Sequence, residues 1–212
     1  TYSNHYLYVR LREFPHNLLS FCCYTQKMKS SVASQGINYD ELKRVLAEAH
    51  TDQDLFKLIV NAPLAYKIET TLLSLGIIVL LLVNKKLGTI DRIAISENDL
   101  AKRTKRRSVK KFEEIRIPVG HPENIIAQAI ATGKPQGTSD WQYLFVPELS
   151  AEDARFNQME GGIGYSAVYP LQGARDGGAL IFSYFQYPDK IHDPQEEFMA
   201  TYSQIVADRL KS

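Results

Sequence analysis

Apolar residues crowd one stretch of this chain above all others: Ile77, Ile78, Val79, Leu80, Leu81, Leu82 and Val83 run unbroken and stop at Asn84, Lys85 and Lys86. A membrane-spanning helix needs ~20 such residues, about three times this length, so the run reads as the interior of a sheet. A polar turn with a glycine, residues 84–88 (NKKLG), separates it from Ile90, Ile93 and Ile95, which rebuild an apolar strand. Two such runs around a short turn predict a β-hairpin. One buried helix over residues 72–83 is the competing reading, because short apolar runs fit both periods.

Before the hairpin the spacing changes to that of helices. Asn38 followed by Glu41 is a cap with its reciprocal carboxylate, and Leu42, Val45, Leu46 and Ala49 form a stripe behind it. Thr51 and Asp54 repeat the signal ahead of Leu55, Phe56, Ile59 and Val60. Pro63 is expected to interrupt this second helix or to open a third, running through Tyr66 and Ile68 to Leu73. Nearer the N-terminus, Leu7, Val9 and Leu11 alternate with polar residues like a strand that could pair at an edge, and residues 30–36 (SSVASQG) read as a linker. The expected organisation is an extension over residues 1–35 and a domain over residues 36–212.

After the hairpin, His121 and Pro122 mark a helix start, Ile125, Ile126, Ala129 and Ile130 line one face, and Gly133 can close it in a left-handed conformation before Pro135. Residues 138–162 show weak periodicity and read as irregular. Residues 164–172 (GYSAVYPLQ) and 177–187 (GGALIFSYFQY) form a second antiparallel pair, with Pro170 suited to an edge or bulge. Asp193, Pro194 and Glu196 then start a terminal helix whose apolar side carries Phe198, Met199, Tyr202, Ile205, Val206 and Leu210. Helices, hairpin, helix, hairpin, helix is an α+β order, with helices on one face of an antiparallel sheet.

Composition narrows the function classes. With 212 residues, 44% hydrophobic and 23% charged, the chain can bury one substantial core, and a net charge of +1 gives no global attraction to nucleic acid or lipid. Seven basic residues, Lys102, Arg103, Lys105, Arg106, Arg107, Lys110 and Lys111, are nonetheless concentrated within ten positions. They could track a polyanion such as nucleic acid, or form a solvated loop; no aromatics alternate with them to stack bases. Cys22 and Cys23 are adjacent and too few for a disulfide framework, which suggests a reducing, cytoplasmic setting.

No motif places a nucleophile beside a base, and the five histidines are scattered singly, so neither catalytic nor metal residues are assigned. Asp140, Glu148, Glu152, Asp153, Ser139 and Ser150 offer polar groups without a pairing that would make them a catalytic set. Trp141, Tyr143, Phe145, Tyr165 and Tyr169 could line a concave site for a planar or amphipathic ligand, and His121 could donate into it. The same aromatics could equally serve as core.

The segments IIAQAIATGKPQ (residues 125–136), YSAVYPL (165–171) and GGALIFSYF (177–185), with the closing helix, resemble a GAF domain over residues 38–210. The resemblance implies a six-stranded antiparallel sheet with the first and last helices on one face and a possible ligand pocket on the other, roofed by residues 102–131 and 138–162. It also implies a sensory or regulatory role, with dimerisation through the terminal helices or an attached signalling domain. Covalent bilin attachment and methionine sulfoxide reduction are disfavoured because no cysteine follows Cys23, and "NKKLGTID" shares only two letters with the family's cyclic-nucleotide motif. The expectation is a noncatalytic module that binds a small ligand or protein partner, without a transmembrane segment. Two alternatives stay open: a ligand-free association module, and polyanion binding through residues 102–111.

Overall fold

Helix α1 (Tyr39–Ala47) begins where its cap lies, the Asn38 side chain accepting the Glu41 N–H at 3.0 Å. The computed structural model describes residues 37–65 and 74–211. The strand-like arm at Leu7 to Leu11, the two cysteines and the third helical segment expected at Tyr66 to Leu73 lie outside the described residues. Helix α2 (Asp52–Ala65) opens on Thr51, whose hydroxyl accepts the Asp54 N–H and donates to the Asp54 carboxylate. Pro63 does not interrupt α2; it sits buried inside it. The N–H that proline lacks would have gone to the carbonyl of Ile59, which instead accepts the Tyr202 hydroxyl at 2.7 Å.

The apolar run at 77–83 is strand, not helix. β1 (Leu75–Asn84) and β2 (Thr89–Ile95) form the expected hairpin, with Gly88 at φ 66° in its turn. There follow α3 (Asp99–Arg107), a 3₁₀ turn (Phe112–Glu114), β3 (Arg116–Pro118), α4 (Ile125–Thr132), β4 (Gln136–Thr138), α5 (Gln142–Phe145) and α6 (Ala151–Gly161). β5 (Tyr165–Pro170), β6 (Gly178–Tyr184), a second 3₁₀ turn (Pro188–Lys190) and α7 (Asp193–Arg209) complete the order. The six strands make one sheet in the order β3-β2-β1-β6-β5-β4, antiparallel at every pairing. Pro170 lies past the last residue that β4 pairs, so its missing N–H costs no bond on that side.

Both faces of the sheet are covered, which is why β1 reads as a continuous apolar run instead of an alternation. Ile78 and Leu80 face α1, α2 and α7, packing with Leu42, Leu46, Ile59, Phe198, Tyr202 and Val206. Ile77, Val79 and Leu81 face the other way, with Ile126, Trp141 and Phe145. The stripes of α1 and α7 are thereby buried within this unit: Leu42, Val45, Leu46, Phe198, Met199, Tyr202 and Val206 are all out of solvent. Little of those two stripes is left over for a bundle with a second subunit.

Four expectations need correcting. The basic run is mostly helix: Asn98 caps α3 by accepting the Ala101 N–H, and its arginines and lysines lie on the helix's solvent side while Ala101 and Thr104 turn inward. Residues 138–162 are not irregular but hold α5 and α6; α6 runs from a Ser150 cap to Gly162 at φ 61° and escapes pattern reading because it buries Ala154, Asn157 and Gly161. The helix expected to start at His121 starts at Ile125, since Asn124 supplies the cap. Ile93 does not join the apolar face of β2. Leu80 pairs with Ala94 and Leu81 with Arg92, so Ile93 is an extra residue, a β-bulge, and is 37% exposed.

Candidate functional site

That bulge sets up the site. In a regular strand, residues 92 and 95 would point to opposite faces. The register from the turn is regular as far as Arg92 opposite Leu81, which puts Arg92 on the same side as Ile90; the extra residue then brings Ile95 opposite Val79, so both turn toward the layer that holds Trp141 and Phe145. There a cavity of about 40 Å³ lies above Ile77, Val79, Ile181 and Ser183 of the sheet. Trp141, Leu144 and Phe145 wall it on one side, Thr104, Lys105 and Ser108 on another, and Arg92, Ile95, Phe112, Ile115 and Asn157 complete it.

The wall carrying the aromatics is held by several independent ties. Asn124, fully buried, accepts the N–H groups of Ile126 and Ala127 and donates to the carbonyls of Leu144 and Val146, joining the start of α4 to the end of α5. The Trp141 indole N–H donates to Ser166 Oγ at 2.9 Å, and Ser166 shares a 2.8 Å hydrogen bond with Ser183. Gln158 accepts the Trp141 backbone N–H. Asp140 is bonded by Arg155 at 2.7 Å and accepts the Gln142 N–H. Burial pushes the Asp140 carboxyl up, but the Arg155 bond, the Gln142 N–H and the Arg155 charge together hold it below the ordinary value.

Against this order, three polar atoms at the cavity have no hydrogen-bond partner and are shut off from solvent: Arg92 Nε, Thr104 Oγ1 and Asn157 Oδ1. Each such atom costs about 1–3 kcal/mol. Asn157 uses its amide nitrogen on Ser108 Oγ, which donates in turn to the Lys110 carbonyl, leaving the amide oxygen free. The Arg92 guanidinium lies 4.3 Å from the centre of the Phe145 ring and 5.6 Å from that of Phe112. Such cation–π contacts return part of its lost hydration. Burial pulls its pKa down to about 10, so it stays charged at neutral pH. No carboxylate pairs with it among the described residues. Beside the cavity, and sharing Ile95, Lys105 and Phe112 with it, runs an open groove of about 510 Å³.

The structure separates the sequence-derived candidates. Trp141 and Phe145 line the cavity. Tyr165 and Tyr169 do not: their register opposite Tyr184 and Leu180 turns them to the α1/α2/α7 layer. Tyr143 is on the solvent side of α5, 44% exposed, and His121 stands in the turn before α4, its Nδ1 accepting the Glu123 N–H. Of the basic run, Lys105 pairs with Glu113, Arg107 with Glu160, Lys110 with Glu148 and Lys111 with Glu114, while Lys102, Arg103 and Arg106 have no ion pair among the described residues. Ser150 caps α6 and bonds Asp153, Asp140 accepts from Arg155, Glu148 pairs with Lys110, and the Ser139 carbonyl accepts from Gln158, so most of the residues weighed for catalysis help to hold helices and loops in place. Among the described residues no three His, Cys, Asp or Glu side chains cluster as a metal site, and no helix is long and apolar enough to cross a membrane. Arg92, Thr104 and Asn157 went unread: a charge on a strand reads as solvent-facing, and a bulge has no signature in the pattern.

No family model matches the sequence, and no curated protein matches it significantly. Solved structures do match the fold. The GAF domain of a phosphoenolpyruvate-protein phosphotransferase from Coxiella burnetii superposes with a TM-score of 0.54 at 16% identity, over 81% of this chain and 89% of its own. A segment of a methyl-accepting chemotaxis protein gives 0.53 at 7% identity, over 80% and 94%. The reduced form of fRMsr from Staphylococcus aureus gives 0.50 at 13% identity, over 83% and 97%. With its strand order, its α1/α7 layer and a cavity on the opposite face, the chain has the GAF fold.

Proposed function

We propose that this domain is a noncatalytic sensory or regulatory module that binds a small molecule on the sheet face opposite α1 and α7. The observation that carries this reading is that three residues with a buried, unpartnered polar atom, Arg92 (Nε), Thr104 (Oγ1) and Asn157 (Oδ1), all line one aromatic-walled cavity. A few polar groups in the lining of an apolar pocket are how ligand sites fix orientation. Occupancy would be felt by β1 and β6, whose opposite faces contact α7, giving a physical route to a terminal helix and to whatever it joins. The resemblance to domains of signalling proteins supports a regulatory reading over a catalytic one, and the polar residues with structural duties support it further.

Native mass spectrometry of the purified protein tests it. A mass excess lost on denaturation, or a saturable change in Trp141 emission with any small molecule, is the expected result. An empty protein with no response across a chemically broad set sinks it and favours association; the same spectrum reads whether the chain is monomeric or dimeric.

A further inference from the structure

Arg92 brings a positive charge to the cavity, and nothing among the described residues neutralises it. An anion fits the charge, but the neighbouring atoms ask for more than an anion. Asn157 Oδ1 is an acceptor, so a ligand offering only lone pairs would leave it unmet and repelled. The cavity, about 40 Å³, accommodates only a few heavy atoms. The surrounding rings, Phe145 and Trp141, lie with centres 5.5 Å apart, so flat surfaces bound the site.

Resting on the small-ligand reading above, we propose that the ligand is a small organic carboxylate with a hydroxyl or N–H donor on the adjacent carbon: the carboxylate accepts from Arg92, and the donor meets Asn157 Oδ1. A planar carboxylate suits a guanidinium, which presents its donors in a plane. A tetrahedral phosphate dianion would bring more oxygens and charge than one enclosed N–H and one unpaired cation can satisfy. The rest of the molecule lies in the groove over Lys105 and Phe112, outside the closed part.

Trp141 is the only tryptophan in the chain, so its emission reports on this cavity without labelling. The probes are lactate and mandelate, each against its neutral amide, lactamide and mandelamide. At least one acid is expected to shift the emission saturably and raise Tm, with its amide weaker by about tenfold or more, a difference of 1.4 kcal/mol. Arg92→Met, which keeps an unbranched stem, is expected to abolish acid binding with an unliganded Tm equal to or above that of the parent; Arg92→Lys should restore part of it. The Arg92 Nε–H proton resonance should move downfield in the acid complex.

Acids and amides binding equally, indifferent to Arg92→Met, would overturn the carboxylate assignment while leaving a small-molecule pocket standing. Inorganic phosphate binding through Arg92 in preference to either acid overturns it too. Silence from all probes overturns it, and silence together with an empty native spectrum removes the pocket reading as well. A large fall in Tm for Arg92→Met with acid binding retained would make Arg92 a structural clamp and overturn the proposal.

Discussion

Tyr202 donates its hydroxyl to the carbonyl of Ile59, 2.7 Å away, and that carbonyl is the one Pro63 leaves without its helical donor. The two residues are far apart in sequence, yet each answers a deficit in the other: the tyrosine is fully buried and needs an acceptor, and the helix has a spare one. Burial holds the Tyr202 hydroxyl well above its ordinary pKa, so it remains a donor at any pH the fold experiences. Tyr202→Phe is expected to cost about 1–3 kcal/mol, because it orphans a buried carbonyl. Urea unfolding should show a lower midpoint with an unchanged slope. In the background Pro63→Ala, which returns an N–H to Ile59, the same change should cost less; additivity of the two would refute the pairing.

Tyr184 makes the opposite case. It too is buried with a raised pKa, from desolvation first and the nearby Tyr169 and Tyr165 second, but its hydroxyl has no hydrogen-bond partner. Tyr184→Phe is therefore expected to leave stability unchanged or raise it by about 1 kcal/mol. Thermal melts of the two phenylalanine variants, moving in opposite directions, would check both assignments at once.

Asn124 satisfies two N–H groups and two carbonyls from full burial. Asn124→Ala is expected to cost about 3 kcal/mol or more, counting the lost cap and the carbonyls left behind. Because those carbonyls end α5, Trp141 emission should also become more accessible to acrylamide quenching before global unfolding. A variant that melts early with unchanged quenching would place Asn124 in the fold alone and not in support of the cavity wall.

Asp140 carries a pH dependence whose sign is fixed by its lowered pKa. A carboxyl depressed by folding adds stability that is fully present above its unfolded value near 3.8 and is lost as pH falls through its lower folded value. Asp140→Asn should lower stability at neutral pH by ~0.5–1 kcal/mol, given the partial exposure of the Asp140–Arg155 pair, and should flatten the acid limb of the stability curve. An acid limb identical to the parent's would assign that limb to other carboxylates.

These expectations draw on features of very different legibility. The central hairpin could be read from residues 77–95 because a strand buried on both faces writes itself as an unbroken apolar run. The caps at Asn38, Thr51 and Gly133 were equally plain, since capping chemistry uses few residue types. Helix α6 could not be found by hydrophobic spacing, because its buried side holds alanine, asparagine and glycine; Ser150 and Asp153 were its one local sign. Trp141 and Phe145 were within reach as aromatics near a loop. Tyr165 and Tyr169 were indistinguishable from them until the register assigned each strand residue a side. Arg92 was the least legible: alternation from Ile90 gives its side, but a charge there reads as solvent-facing until the aromatic layer that covers it is known.

The bulge at Ile93 carries a consequence for how such a site could arise or vanish. Whether position 95 joins the cavity or the helical layer is a question of parity, odd or even, and Ile93 is the unit that changes the count, while Arg92, on the turn side of it, keeps its place. A lineage could thus gain or lose an apolar wall at this face through one codon's insertion or deletion, with every side chain keeping its identity.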